Sequence, residues 1–419
     1  MTSGKDSSRG APFGTFVGWW IVAVAVVGQS LSVGPLLSYT FGIFAKPLAN
    51  HFGANRGSIS LGITFLNLMV AGSSIAAGRL VDRFGGRRVI AVSMVMLSFC
   101  ILALSTVKPP LWHLFALYAL AGIVGAGSTP VTYARVVANW FDRKRGFALG
   151  VASTGIGLGV IVMPSLAEFL IDRTGWRLAY AILGAAVLAI GAPVTAVFLR
   201  NAPEEVGQFT DGIAGNPQTA ASLGTATGLS VAEALRTGTF WQLCAIFFCV
   251  SACGNGTIAH LAPMLTDHGI TPRTAALATS SFGAATILGR LGSGYLVDRL
   301  SARRVAATLF GGAAIGLAML CVRGGGAWFF VAAALLGLAI GAESDVMPFL
   351  VSRYFGMLSM GALFGWVFAS YTLGAAAGPY LLGVGFDASG SYRAPLALAT
   401  VAMSLAALGM LGLKKYQSP

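Results

Sequence analysis

The chain has 419 residues, of which 56% are hydrophobic and only 10% are charged. A soluble globular domain carries about 25% charged residues, so this composition excludes soluble enzymes, disordered proteins and nucleic-acid-binding domains. The net charge of +13 does not indicate a nucleic-acid partner, because the basic residues cluster in short loops between apolar runs, as the positive-inside rule describes. We therefore expect a polytopic membrane protein.

The first predicted half of the chain covers 15–199 and follows a polar tail, 1–14. No cleavable signal peptide is evident, because the first apolar stretch is far longer than a signal sequence. A spanning helix needs about 20 apolar residues, and six segments of the first half meet this length. They are 15–45, 57–79, 88–107, 111–138, 146–171 and 175–199.

A polar linker, 200–237, separates this half from a second one, 238–413, which precedes a short tail, 414–419. In the linker, Ser230 and Glu233 have the spacing of a capping box and predict a short surface helix. The second half also contains six apolar segments, and we expect both tails and the linker to be cytoplasmic. The segments are 239–266, 273–297, 303–322, 326–352, 359–386 and 391–413.

An internal repeat relates the two halves. The string GRLVDRFGGRR at 78–88 recurs as GYLVDRLSARR at 294–304, offset by 216 residues, and each copy follows the second segment of its half. Parallel repeats of this kind are typical of secondary transporters. The sequence therefore predicts an all-α membrane protein with twelve transmembrane helices in two six-helix halves.

The repeated loop resembles the loop signature of the major facilitator superfamily. WWIV at 19–22 with SYTFGIFAKPL at 38–48 resembles the first helix of bacterial monocarboxylate transporters, which are related to the oxalate/formate antiporter branch. Four further stretches are similar to monocarboxylate transporters. They are NWFDRKRGFALGVASTGIGLG at 139–159, HLAPMLTDHG at 260–269, GAESDVMPFLVSRYFG at 341–356 and GFDASGSYRAPL at 385–396. The resemblance implies a monomeric transporter in a bacterial inner membrane that works by alternating access.

Arg290 lies within the eighth predicted segment. A charged residue at the bilayer centre costs about 2.5–3.5 kcal/mol on insertion scales, so its guanidinium must face a cavity or a partner. The planar guanidinium matches a carboxylate with two parallel hydrogen bonds. The resemblance implies that Arg290 binds the substrate carboxylate, and the alternative is a structural salt bridge to Glu343 or Asp345.

Glu343 and Asp345 are candidate proton carriers in the tenth segment. They are two residues apart and point to different faces of a helix, so we expect at most one of them to face Arg290. A buried carboxylate either binds a proton or pairs with a cation, and a helix-packing ion pair is the alternative function. His260 is a third candidate, because histidine side chains titrate near neutral pH; it could equally bond a helix carbonyl near Pro263.

Other polar side chains at membrane depth could complete a carboxylate site, because small-ligand pockets place a few donors in an apolar surrounding. Tyr39 and Tyr118 are the preferred pair, and for each residue a hydrogen bond between helices is the alternative. The full set of candidates is Tyr39, Asn67, Tyr118, Asn255, His260 and Tyr371.

The repeated loops contain a candidate gate, formed by Asp82, Arg83, Arg87, Asp298 and Arg299. Each aspartate ends the second helix of its half and can cap a neighbouring helix N-terminus or pair with an arginine. The resemblance implies a cytoplasmic latch that breaks and re-forms as the halves rock. The second copy lacks the two adjacent glycines of the first.

Three positions depart from the family pattern. Thr286 replaces the acid that animal monocarboxylate carriers have one turn before the arginine, Tyr39 occupies the place of their first-helix lysine, and Val367 that of the eleventh-helix lysine of the oxalate branch. These departures leave the coupling ion open. A single central cation favours a monovalent anion.

We expect a secondary transporter of a small monocarboxylate such as lactate or pyruvate, with a proton as the coupling ion and membrane lipid as its surroundings. The alternatives are an anion exchanger of the oxalate/formate type and an exporter of a larger organic acid. No enzymatic activity or ATP-driven transport is expected, because no HExxH, GxSxG or GxxxxGK[ST] motif occurs. We also expect no cofactor, metal or nucleic-acid partner.

Overall fold

The computed structural model describes residues 16–54, 56–212, 228–267, 269–322 and 327–414. Apart from one isolated β-bridge, the regular structure of these residues is helical. The predicted tail 1–14, most of the tail 414–419 and the middle of the linker lie outside the described residues.

The first membrane span is a broken helix. It consists of α1 (Gly18–Ser30), a π-helical turn (Gly34–Ser38) and α2 (Phe41–Phe52). Pro35 lies at the start of the π-helical turn, where its missing N–H interrupts the regular α-helical ladder. Tyr39 directly follows this irregular turn, near the middle of the span.

The next three spans pack beside it. The second span is α3 (Arg56–Phe84), and the third is α4 (Gly86–Leu104). The fourth span is divided by a 3₁₀ turn (Ala126–Ser128) into α5 (Trp112–Gly125) and α6 (Pro130–Trp140).

The fifth and sixth spans meet at a kink, at the position where the sequence predicts the boundary between them. Helix α7 (Arg145–Ala186) breaks at Gly175, whose φ of 80° suits glycine. A π-helical turn (Val187–Gly191) and α8 (Ala192–Phe198) complete the sixth span.

The linker contains the short helix that the capping-box spacing predicts. Helix α9 (Val231–Leu235) begins after Ser230, whose hydroxyl accepts a hydrogen bond from the Glu233 N–H, while the Glu233 carboxylate accepts one from the Ser230 N–H. The bonds from the Ser230 hydroxyl and backbone N–H hold the pKa of Glu233 below its ordinary value.

Six helices form the second half of the described chain and are its seventh to twelfth spans. They are α10 (Gly238–Asp267), α11 (Pro272–Val297), α12 (Ala302–Cys321), α13 (Ala327–Phe355), α14 (Met360–Ser389) and α15 (Arg393–Gly412). The predicted fold of twelve transmembrane helices in two halves is confirmed.

The two halves meet through two equivalent helix pairs, α3 with α14 and α7 with α11. Glycines permit the close approach. A Cβ atom at Gly361 would lie 2.6 Å from the carbonyl oxygen of Gly78, and a Cβ at Gly294 would lie 2.7 Å from that of Gly146. Both contacts lie where the linker leaves the bundle, and we call this side of the molecule the linker face and the opposite side the far face.

Candidate functional site

Five polar side chains from four spans form a central cluster at the interface of the halves. Arg290 interacts electrostatically with Tyr39, Glu343, Asp345 and Tyr371. The first span contributes Tyr39 at its irregular turn, and the eighth, tenth and eleventh spans contribute the others. Tyr39 is therefore the member from the first half, and the charged members of the cluster all belong to the second half.

The Arg290 guanidinium is only partly occupied by protein acceptors. One terminal nitrogen donates to the main-chain carbonyl of Ser153 in the fifth span. Its Nε is buried and has no acceptor among the described residues. Among the described residues, no ion pair joins Arg290 to Glu343 or Asp345. The structural salt bridge considered from sequence is not formed, and the guanidinium retains an unused donor.

Glu343 and Asp345 are buried, with 1% and 0% of their surface exposed. None of their four oxygens reaches hydrogen-bond geometry with a partner among the described residues. The Tyr371 hydroxyl interacts with Glu343, and the hydroxyls of Ser153 and Ser293 interact with Asp345. An ionised carboxylate that lacks donors in a buried place is costly, so both groups are suited to bind a proton.

Contrary to the expectation from their spacing, both carboxylates interact with Arg290. The two acids lie on different sides of α13, one towards α14 and the other towards α7 and α11. Arg290 lies between the two acids, so both can interact with it although they are on different faces of α13.

Tyr39 is the exposed member of the cluster. Its side chain is 52% exposed, although it interacts with Arg290 and Glu343 in the opposite half. A tyrosine that faced lipid could not interact with both groups. Since the halves are in contact at the linker face, we infer that a cavity reaches Tyr39 from the far face.

The two predicted asparagines have different surroundings. Asn67 accepts a hydrogen bond of 3.1 Å from the Ser38 hydroxyl, next to Tyr39. Asn255 is the repeat equivalent of Tyr39 by the offset of 216 residues. Its amide donates to the carbonyl of Ser251 at 3.0 Å, within its own helix.

The structure does not bring Tyr118 or His260 into the cluster. Tyr118 is fully buried in the first half, and its hydroxyl lies 2.9 Å from that of Tyr180. His260 lies between three spans of the second half, with Nε2 2.9 Å from the carbonyl of Pro379 and Nδ1 3.1 Å from the Tyr392 hydroxyl. For both residues the geometry matches the alternative of a bond between helices; the carbonyl beside His260 belongs to Pro379 rather than to the region of Pro263.

The two repeated aspartates form matching contacts between the halves, which we call the two latches. The carboxylate of Asp82 accepts hydrogen bonds from the N–H groups of Gly361 (3.0 Å) and Ala362 (2.8 Å), at the start of α14. The carboxylate of Asp298 accepts them from Gly146 (2.7 Å) and Phe147 (2.8 Å), at the start of α7. The second latch therefore has the geometry of the first without its pair of glycines.

The arginines predicted to belong to the gate have other contacts. Arg87 donates to the carbonyl of Ala196 at 2.7 Å within the first half. Arg83 stacks on Phe84, and Arg299 stacks on Tyr295 with 4.1 Å from its Cζ to the ring centre.

Other charged residues, which sequence reasoning missed, hold the linker face closed. Arg135 of the fourth span pairs with Asp82 of the same half at 3.0 Å, and its charge inside an apolar segment was the available sequence signal. Asp142 pairs with Arg353 of the opposite half at 3.0 Å, and Arg145 donates to the Ser352 hydroxyl at 3.1 Å. Nothing in the sequence reveals that these last residues meet.

Two six-helix halves related by a repeat, with a charged site between them and matched contacts at one face, define the class of secondary transporters. The sequence profile of the Major Facilitator Superfamily matches residues 13–264 and 243–418, and the chain belongs to this family.

Its relatives are transporters rather than enzymes, and the chain is not an enzyme. It is 27% identical over 398 residues to monocarboxylate transporter 11 of Mus musculus, covering 90% of this chain and 83% of the relative. It is 25% identical over 304 residues to the oxalate:formate antiporter of Oxalobacter formigenes, covering 72% and 68%. The fold matches the Escherichia coli fucose:proton symporter with a TM-score of 0.66 at 14% identity, over 96% of this chain and 98% of that one.

Proposed function

We propose that the chain is a proton-coupled transporter of a small monocarboxylate such as lactate or pyruvate. The observation that carries this proposal is the unused donor of Arg290 beside two buried acids and the exposed Tyr39. A substrate carboxylate that enters the cavity meets a guanidinium of matching geometry. The hydroxyls of Tyr39 and Tyr371 supply further donors near it.

The charge of the cluster provides a physical reason for proton coupling. With Glu343 and Asp345 both ionised, the cluster with Arg290 carries a net charge of −1, which repels an anionic substrate. A proton on either acid makes the cluster neutral and removes this repulsion. Substrate and proton therefore favour each other's binding, which is the thermodynamic requirement for symport.

The latches supply the moving part of the mechanism. In this structure they close the linker face while Tyr39 remains accessible, as in an outward-open state. The basic clusters of the linker-face loops favour a cytoplasmic position for that face, so we place the chain as a monomer in a bacterial inner membrane, with both termini cytoplasmic. Inward opening then requires Asp82 and Asp298 to release their amide partners.

The alternatives are exchange of carboxylates and export of a larger organic acid. The similarity to an oxalate:formate antiporter supports exchange as the second candidate. The absence of a second cation at Val367 weighs against a dicarboxylate. An exchanger would need a counter-anion inside the vesicle, and a proton gradient alone would not drive its uptake.

The test is uptake of radiolabelled L-lactate into proteoliposomes, with and without an inward proton gradient. Wild type should accumulate lactate only with the gradient, and Arg290→Ala should lower the initial rate about 100-fold, since a hydrogen bond to a charged group is worth up to about 3 kcal/mol. Arg304→Ala, which removes an exposed arginine outside the cluster, is the matched control and should transport normally. Gradient-independent uptake that needs internal oxalate or lactate would favour the exchanger, and unimpaired Arg290→Ala would refute the site.

A further inference from the structure

A groove of about 510 Å³ lies on the outer surface of the first half, between the second, third and fourth spans. Its walls are large apolar side chains that are 46–58% exposed, namely Leu80, Phe84, Val92, Met96 and Ile123. Its floor consists of small residues, including Ser73, Ala77 and Gly127. A groove with this lining, open sideways at membrane depth, is suited to a hydrocarbon chain rather than to a soluble anion.

The length of the groove corresponds to one leaflet. The groove extends along α3 from Ser73 to Phe84, which is about 16 Å at 1.5 Å per residue. Half of the hydrocarbon core of a bilayer is about 15 Å thick. An acyl chain that begins at Phe84 would therefore end near the midplane at Ser73, and the headgroup would lie at the linker face.

Arginines without acidic partners stand at the headgroup end. Arg88 lines the groove there and is exposed, and Arg83 is exposed beside it. Neither forms an ion pair with any residue in the described part of the chain. Asp82 is the single acid between Ser73 and Met96 in the sequence, and Arg135 and two backbone amides already occupy it.

We propose that this groove binds an anionic glycerophospholipid, with one acyl chain between α3 and α4 and its phosphate on Arg88. Guanidinium groups bind phosphate with charge-assisted hydrogen bonds. Within 73–96, which supplies both α3 and α4 to the groove, no unpaired carboxylate faces the ammonium group of a zwitterionic lipid. The site therefore distinguishes lipids by the charge of the headgroup and requires an acyl chain as well.

The repeat offers a matched control. Arg304 is the equivalent of Arg88 in the second half by the offset of 216 residues, and it is also exposed. Its substitution by alanine removes the same charge at the same depth without touching the groove. Val92→Trp, in contrast, fills the groove and leaves every charge in place.

The experiment is native mass spectrometry of the full-length protein in detergent, mixed with equimolar phosphatidylglycerol and phosphatidylcholine of the same acyl chains. We expect wild type to retain phosphatidylglycerol preferentially. Arg88→Ala should lower its retention about fivefold, the effect of one arginine near an anionic lipid surface, while Arg88→Lys restores part of it and Arg304→Ala leaves it unchanged. Val92→Trp should lower retention of both lipids, and soluble glycerol phosphate should not compete.

Equal losses in Arg88→Ala and Arg304→Ala would overturn the proposal, because the attraction would then be to the overall basic surface. Unchanged phosphatidylglycerol retention in Val92→Trp would overturn it too, since no chain would occupy the groove. Thermal unfolding midpoints within the error of wild type establish that each variant is folded. The assay involves no transport, so its outcome is independent of the carboxylate proposal.

Discussion

The two latches should contribute equally to closure of the linker face. Asp298→Asn keeps one acceptor oxygen but loses the charge and one of the two bonds to the amides of Gly146 and Phe147. A hydrogen bond to a charged group contributes about 1.5–3 kcal/mol. A loss of about 2 kcal/mol changes the ratio of closed to open molecules about 30-fold.

Asp82→Asn should have the same effect, because it loses the charge and one of the two bonds to the amides of Gly361 and Ala362. The latches lie on different helix pairs and share no partner, so their effects should add. The double variant Asp82→Asn with Asp298→Asn should therefore change the ratio about 1,000-fold, from about 4 kcal/mol.

The assay is double electron–electron resonance between spin labels at Glu204→Cys, in the linker directly after the first half, and Leu358→Cys, in the second half at the linker face. The five native cysteines are replaced first. Each single variant should add a longer-distance population, and the double variant should be mostly open. Asp387→Asn, the same substitution at the exposed far end of α14, is the control and should leave the distances unchanged. If Asp298→Asn resembles this control while Asp82→Asn opens the face, the proposed equivalence of the latches is refuted.

Three further outcomes are expected. Glu343→Gln should abolish gradient-driven accumulation in proteoliposomes but retain lactate exchange, because a neutral residue at this position permits substrate binding but cannot release a proton. Asp345→Asn should retain coupling. Loss of exchange in Glu343→Gln would mean that this acid serves substrate binding instead. Gly378→Ala places a methyl carbon 2.9 Å from the carbonyl carbon of Ala252 and should lower the free energy of unfolding by about 1–3 kcal/mol, measured by thermal denaturation. Gly283→Ala, with open space around it, should be nearly neutral. The lowered pKa of Glu233 means that the cap stabilises α9 at neutral pH and is lost as the pH falls through that lowered pKa. Hydrogen exchange in 231–235, corrected for intrinsic rate, should then rise. A similar rise with falling pH in Glu233→Gln would contradict this cause.

The membrane fold could be predicted from sequence because its causes are local and repeated. Every spanning helix must supply its own apolar length, and the recurrence of the Asp82 loop at Asp298 reveals the duplication directly. The capping box at Ser230 is equally local. The boundary between the fifth and sixth spans is local as well, because the backbone breaks at Gly175, where the predicted sixth segment begins.

The candidate site was predictable only in part. Arg290 stands out because a cation in an apolar helix has few structural explanations. The relation of Glu343 and Asp345 to it depends on how α7, α11 and α14 surround α13, and no spacing within one helix contains this information. Tyr118 illustrates the same limit, because its partner Tyr180 is 62 residues away and a buried tyrosine pair has no signature in the chain.

The latches recognise main-chain amides, and this choice has a consequence for how the two halves can diverge. An N–H group is present at every residue except proline, so the donor positions that face Asp82 and Asp298 need only avoid proline, and one of them is the large residue Phe147. Mechanical coupling thus constrains few side chains. The duplicated halves are therefore free to acquire different side chains at equivalent depths, as Arg290 and its repeat counterpart Ser74 show. One half can carry the charged residues while both halves still move as a pair.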